Sequence, residues 1–421
     1  MAADDNAPTG TDTYAGCARP QPVGVFPLPA GFLLVPGSET TSGLRRTLAD
    51  GRLPSAWPPE LAALELAYRG NVIAAVELLR GDDPVTRYNR FVLRPAGRPP
   101  EDPAALREAL GAELGILVDV VRFALGELDE PPPLTSETGE IAALAWSAHA
   151  AHAMAAGRLD DAARMLGEGI AAAADPSPGL AAQLMATAAG LRRDAEGPSP
   201  AVATDLTAAL AALEHTDLAT GRAELHLTLG SVHHELAGDD LAGLRTAAEH
   251  YLAALRLITV DTAPELFASA QVNLAAAYLA MPMNSASDQL RIGVAMQGLR
   301  TALTVYTRQS YPEQWASTQL SLANALVYAP SAHRRDNLVE AVGRYQEVIT
   351  TREGLADPLS YARALANQGN ALAHLGAFPQ ATAVLHEARS IFEQNGETGA
   401  AAAVREVLDE ITRHVAMSRA T

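Results

Sequence analysis

Apolar residues recur along most of this chain at the three-to-four-residue spacing of an α-helix that buries one face. After Asp102-Pro103, a cap followed by a first-turn proline, Leu106, Leu110, Leu114, Leu117, Val121, Leu125 and Leu128 form one stripe. The stripe predicts a helix of about six turns, stopped by Pro131-Pro132-Pro133. From about residue 137 the stripes come in pairs. Trp146 and Ala150 on one helix are followed by Ala162 and Leu166 on the next. Leu180–Leu191 and Ala201–Leu213 make a weaker pair across Gly197-Pro198-Ser199-Pro200. Gly230 then pairs with Ala247, Tyr251 and Ala254, Ala275 and Tyr278 with Ala295, Leu299 and Ala302, and Ala323 and Leu326 with Ala341, Tyr345 and Val348. Gly369 pairs with Ala381, Leu385 and Ala388. A last helix carries Val404, Leu408, Ile411 and Val415 on one side and Arg405, Glu406, Asp409 and Arg413 largely on the other, as a terminal cap needs a polar outer face.

The segment before the pairs is less regular. Pro20, Pro22, Pro27 and Pro29 deny residues 1–30 regular structure, and a flexible Pro-rich tail is expected there. Phe32-Leu33-Leu34-Val35 reads as an extended piece docked on helices or as a loop anchor. Pro58-Pro59-Glu60 opens a helix carrying Leu61, Leu64 and Tyr68. Gly70-Asn71 breaks it before Val72–Leu79, a second helix or, alternatively, a strand; Phe91-Val92-Leu93 also suits extended chain. The expected organisation is a tail over 1–30, a mostly helical domain over 31–135, a hairpin array over 136–396 and a capping helix over 397–421.

A helical hairpin with one apolar face cannot bury it alone and must stack on neighbours. The pairing therefore predicts an all-α, right-handed solenoid with an N-terminal helical extension and a C-terminal capping helix. Composition agrees: 48% of the 421 residues are apolar but only 5% are aromatic, and alanine, the strongest helix former, supplies much of the remainder. There is no lysine, so all 31 basic residues are arginine. Schiff-base, P-loop and general-base lysine chemistry are thereby excluded. The net charge of −18 opposes phosphate backbones, so no nucleic-acid partner is expected. No stretch reaches the ~18 apolar residues of a membrane span, and Met1-Ala2-Ala3-Asp4-Asp5 does not open a signal peptide. A lone cysteine, Cys17, fits a reducing cytoplasm.

The hairpins resemble the tetratricopeptide repeat family over about 137–396. In that pattern a bulky residue stands four positions before a small one on the first helix, and alanine, a bulky residue and a small residue follow on the second. Trp146, Ala150, Ala162 and Leu166 match its first half, and Ala381, Leu385 and Ala388 its second. Twelve positions separate the small residues Gly369 and Ala381, but seventeen separate Gly230 from Ala247, twenty Ala275 from Ala295 and eighteen Ala323 from Ala341. The extra residues are assigned to turns at Gly238–Asp240, Asn284–Asp288 and His333–Asp336, a long-turn form that looks like a bacterial subgroup. The resemblance implies a concave groove lined by first helices, holding Leu227, Ser231, His234, Val272, Ala276, Leu279, Leu320, Asn324, Val327, Arg363, Ala366, Asn370 and Ala373. Arrays that clamp a C-terminal carboxylate carry Lys or Arg where this chain has Leu227, Val272, Leu320 and Ala366, so that ligand is not expected. Asn324, Asn370 and Arg363 either bond a bound peptide or, for the two asparagines, only the neighbouring helix.

Other chemistry is sparse. His149 and His152, and His226, His233, His234 and His250, supply nitrogens that zinc accepts, yet neither His-Glu-x-x-His nor Cys-x-x-Cys occurs, so no metal or cofactor is assigned. No Gly-x-Ser-x-Gly, Gly-x-Gly-x-x-Gly or Walker pattern is present. Asp82-Asp83, Asp160-Asp161 and Asp239-Asp240 read as helix caps rather than catalytic pairs. The chain is thus expected to be no enzyme but a cytoplasmic scaffold or adaptor whose groove takes a peptide or helix of another protein. A peptide- or metabolite-sensing regulator and an assembly factor for a partner enzyme or metalloenzyme are the alternatives, and the Ala-rich end faces leave a homo-oligomer open.

Overall fold

A computed structural model of the protein describes residues 20–94, 101–134, 139–282, 286–329, 333–352 and 357–420. The described residues form nineteen α-helices and one two-stranded sheet, an all-α solenoid of stacked hairpins. Met1–Asp5, Thr9–Thr13 and Cys17 lie outside the described residues. The chain divides into two compact units, Met1–Val232 and His233–Thr421. The division falls inside a helix and not at Pro131–Pro133. Val118 and Val121 before those prolines and Ile141 and Ala142 after them belong to one hydrophobic core, so the first unit continues past them.

The first unit opens with strand β1 (Gln21–Pro22), antiparallel to β2 (Leu34–Val35) with Gln21 opposite Val35. The expected flexibility therefore fails for residues 20–30. Val23 and Val25 are fully buried; Phe32 ends a short 3-10 helix (Ala30–Phe32), and Leu33–Val35 is a docked extended piece in the core. The prolines remove helix but not burial, because side chains supply the missing backbone partners. Asn89 donates its Nδ2 to the Leu34 carbonyl at 3.0 Å and accepts the Leu34 N–H at 2.8 Å.

Helices α1 (Glu39–Ala49), α2 (Ala62–Tyr68), α3 (Val72–Leu78) and α4 (Pro84–Leu93) follow. A Ser38–Thr41 capping box starts α1, and Asn71 and Asp83 cap α3 and α4. Val72–Leu78 is thus helical, and Phe91–Leu93, open to an extended reading, ends α4. The long stripe after Asp102 is two helices, α5 (Pro103–Leu114) and α6 (Ile116–Ala124). Gly111 at φ 80° leaves helical geometry, a conformation that glycine adopts without steric cost, and turns the stripe. Hairpins α7 (Gly139–Ala155) with α8 (Leu159–Ala173) and α9 (Pro178–Glu196) with α10 (Pro200–Leu213) complete this unit together with the greater part of α11 (Ala219–Ala237).

The end of α1 is tied to residues far along the chain. The Asp217 N–H donates to the Gly51 carbonyl at 2.8 Å, and Asp217 Oδ2 accepts the Leu53 N–H at 2.6 Å. Behind these ties Gln21, Arg45, Glu140 and Ser177 form a buried polar cluster, with Arg45 donating to Gln21 Oε1. Burial pushes the Glu140 carboxyl up to about 8, against the opposing pull of the Ser177 bond and the Arg45 charge.

The second unit contains α12 (Leu241–Leu257), α13 (Pro264–Ala280), α14 (Ala286–Ala302), α15 (Pro312–Tyr328), α16 (Arg334–Arg352), α17 (Pro358–His374), α18 (Phe378–Gln394) and α19 (Thr398–Ala420). Asp240 caps α12 by accepting from Ala242 and Gly243. Gly238–Asp240 is the expected turn between α11 and α12, but residues from Ala286 and from Arg334 onward already belong to α14 and α16, so there the extra residues lie within the second helix ahead of its small residue; Asn284 and Ser285 lie outside the described residues. Small residues set the close approach within hairpins. A Cβ on Gly369 would stand 2.5 Å from Leu385 Cγ, so the α17 backbone lies directly on that leucine. Leu385 is 1% exposed, a burial that contributes roughly 1.5–3 kcal/mol. Val404, Leu408 and Ile411 of α19 close this unit's core against α18.

Candidate functional site

Helices α13, α15 and α17 pack successively against one another, so the first helices of three hairpins make one wall. Their inward residues are small (Ala275, Ala323, Gly369), which holds the partner helices α14, α16 and α18 close behind. Val272, Leu320, Asn324, Ala366 and Asn370 are half-buried, and Ala276 and Arg363 are exposed. These seven sequence-predicted residues therefore all keep surface on helices of one wall. Val327 does not: it is 5% exposed and belongs to the core, because the helix phase turns it inward between Leu326 and Tyr328. Leu227 and Ser231 belong to the first unit, where Ser231 Oγ accepts from Arg193 at 3.4 Å. His234, in the second unit, stands edge-on to Tyr251 with ring centroids 6.5 Å apart. Burial pushes its imidazole below the ordinary value, against the pull of Glu235.

The polar part of the wall is a short ladder. Tyr345 of α16 donates its hydroxyl to Asn324 Oδ1 at 2.5 Å, and Asn367 Nδ2 donates to the same oxygen at 3.3 Å. Burial, then the neighbouring Tyr328, push the Tyr345 phenol up, so it stays a donor. Asn370 Nδ2 donates to the Tyr328 hydroxyl at 3.1 Å, and Tyr328 itself is 64% exposed. Each asparagine thus spends one side of its amide on a neighbouring helix. Asn324 keeps its Nδ2 donors and Asn370 its Oδ1 acceptor outside these bonds. The sequence count singled out Asn324 and Asn370 but missed Tyr328, Tyr345 and Asn367. An aromatic closing α15 and a second asparagine three positions before Asn370 were the available signals.

Charges are concentrated behind the wall. Arg344 of α16 donates to Gln319 Oε1 at 2.6 Å and pairs with Glu340 at 2.7 Å, and Arg300 of α14 reaches Glu340 at 3.3 Å. Partial burial works against the Glu340 charge, but Arg344 and Arg300 outweigh it and hold its carboxyl below the usual range. The histidines are engaged elsewhere. His149 Nε2 stands 2.8 Å from the Pro132 carbonyl, and His233 stacks on His250 at 5.4 Å. Among the described residues no group of three or more His, Cys, Asp or Glu is placed to hold a metal, and no helix is long and apolar enough to cross a membrane.

No family model matches the sequence, and no curated protein is found similar to it. Solved structures are similar in build. BtubC (BKLC) of P. vanneervenii is 20% identical, with a TM-score of 0.42 over 58% of this chain and 90% of that one. Apo RapI is 12% identical, with a TM-score of 0.45 over 85% and 97% of the two chains. A signal-transduction ATPase with a tetratricopeptide repeat sensor from Pyrococcus horikoshii is 12% identical, with a TM-score of 0.49 over 84% of this chain and 48% of that one. At these values the likeness adds nothing to what the helices themselves display.

Proposed function

We propose that the protein is a non-catalytic scaffold or adaptor that holds a peptide segment or helix of a partner protein against the wall of α13, α15 and α17. The observation that carries the reading is the unequal use of the wall's amides. Asn324 offers donors and Asn370 an acceptor, the two polarities that a peptide's C=O and N–H require. Exposed Ala276 and half-buried Ala366 leave room for a chain to approach the helices closely. The acidic balance keeps nucleic acid from being the partner, and the arginine-only composition and single cysteine fit a bacterial cytoplasm. Affinity capture with the full chain, compared with Ala276→Arg and Ala366→Arg, tests the reading. Both variants should keep wild-type helicity and lose the captured partner; retention of every partner by both would remove the wall from consideration.

A further inference from the structure

The wall that would receive a partner is almost free of charge, although 19% of the chain is charged and the net balance is −18. No Asp, Glu, Lys or Arg falls in 266–280, 314–328 or 364–373, which make up all of α13, α15 and α17 apart from their first turns and the end of α17. The exceptions stand at one edge. Glu265 and Glu313 lie in first turns, Arg363 in the second turn of α17, and the Glu265 carboxylate accepts from the Tyr311 hydroxyl at 2.5 Å. Burial does not explain the gap, because Ala276, Ala280, Ser317 and Tyr328 are exposed, and Asn273 and Ser321 are half-exposed. The adjoining second helix α16 carries Arg334, Arg335, Asp336, Glu340, Arg344 and Glu347 within a similar length. Solvent-facing positions are therefore filled with alanine, amide, hydroxyl and aromatic groups on one layer and with charges on the other.

We infer that the partner segment is an extended, uncharged stretch of polypeptide, held by amide-to-backbone hydrogen bonds and apolar contact without ion pairs. This rests on the wall's being the binding surface. Away from the edge that carries Glu265, Glu313 and Arg363, an acidic or basic side chain pressed onto it would lose water and find no counter-charge, a cost that selects against charged segments. Val272, Leu279 and Leu320 supply the apolar contact, and Asn324, Asn370 and the Tyr328 hydroxyl the polar one. Three helices about 10 Å apart are crossed by about seven extended residues at ~3.3 Å each.

The experiment pans a display library of random peptides about ten residues long on the full chain and titrates the enriched peptides by fluorescence polarisation. Enriched sequences should be depleted of Asp, Glu, Lys and Arg. Their Kd should change less than about twofold between about 50 and 500 mM NaCl, since screening acts only on charge pairs. Asn324→Asp keeps the oxygen that Tyr345 and Asn367 use, removes the donors and adds a charge, and should weaken these peptides at least about tenfold. If Ala276→Arg leaves their binding intact, the wall itself is the wrong surface. If Ala276→Arg abolishes binding but the enriched peptides are charged, strongly salt-sensitive or tightened by Asn324→Asp, the wall stands and its neutrality is not the selecting feature. A library that yields no binder overturns both.

Discussion

Glu140 gives the first unit a stability that should fall as pH rises through neutrality. Its carboxyl sits fully buried beside Arg45 and Ser177, and burial raises it from 4.5 to about 8. Between those values the folded protein keeps a proton that the unfolded chain releases, so unfolding becomes more favourable with each added pH unit. The contribution is complete below the unfolded value, declines from there upward and levels off once the folded carboxyl ionises. At ~1.4 kcal/mol per unit, pH 7 lies about 3 kcal/mol below the acid plateau. Glu140→Gln keeps a neutral side chain of the same shape and removes the titration. Trp57 and Trp146 report the first unit once Trp315, the third tryptophan, is replaced in a Trp315→Phe background. Urea unfolding read from their fluorescence should show the parent losing about 2–3 kcal/mol between pH 5 and pH 7 relative to the glutamine variant. Carboxyls held low, such as Glu101, whose partial burial is outweighed by Arg87 and Arg90, act on the acid side and are common to both proteins. Parallel stability curves across that window would refute the reasoning and mean that Arg45 keeps Glu140 ionised.

Two further outcomes follow from packing. Asn89→Ala strands the buried N–H and C=O of Leu34 and should cost about 2–5 kcal/mol, with hydrogen exchange rising first over residues 20–36. Gly369→Ala drives a methyl into Leu385 and should cost about 1–3 kcal/mol, whereas Gly343→Ala, with nothing near its Cβ, should stabilise by up to ~1 kcal/mol through helix propensity. Thermal melting followed at Trp315 in a Trp57→Phe, Trp146→Phe background separates the two signs.

The hairpins were readable because small residues, bulky residues and caps recur at fixed spacing. Ala381, Leu385 and Ala388 are buried as their register requires, and Asp83 and Asp240 cap as their positions suggest. What escaped depended on partners remote in sequence. Prolines at 20–29 argue locally for disorder, and partners further along the chain, Arg45 on Gln21 and Asn89 on Leu34, show that this part of the chain is held. The break at Gly111 was hidden because leucines continue in phase on either side of it. Counting along single helices found Asn324 and Asn370 but placed Val327 outward, and it passed over Asn367 and Tyr345, whose roles exist only across helices.

The ties from Gly51 and Leu53 to Asp217 also bear on the order in which the chain matures. They join residues 164 and 166 positions apart, whereas each hairpin of the second unit closes on near neighbours. At roughly 5–20 residues per second of synthesis, the first helix waits on the order of ten to thirty seconds before its anchor leaves the ribosome. During that interval Val23, Val25, Leu33 and Leu48 depend on chaperones or on transient collapse for cover. A nascent chain stalled before Asp217 should therefore be protease-sensitive at its beginning, and one stalled beyond it should not.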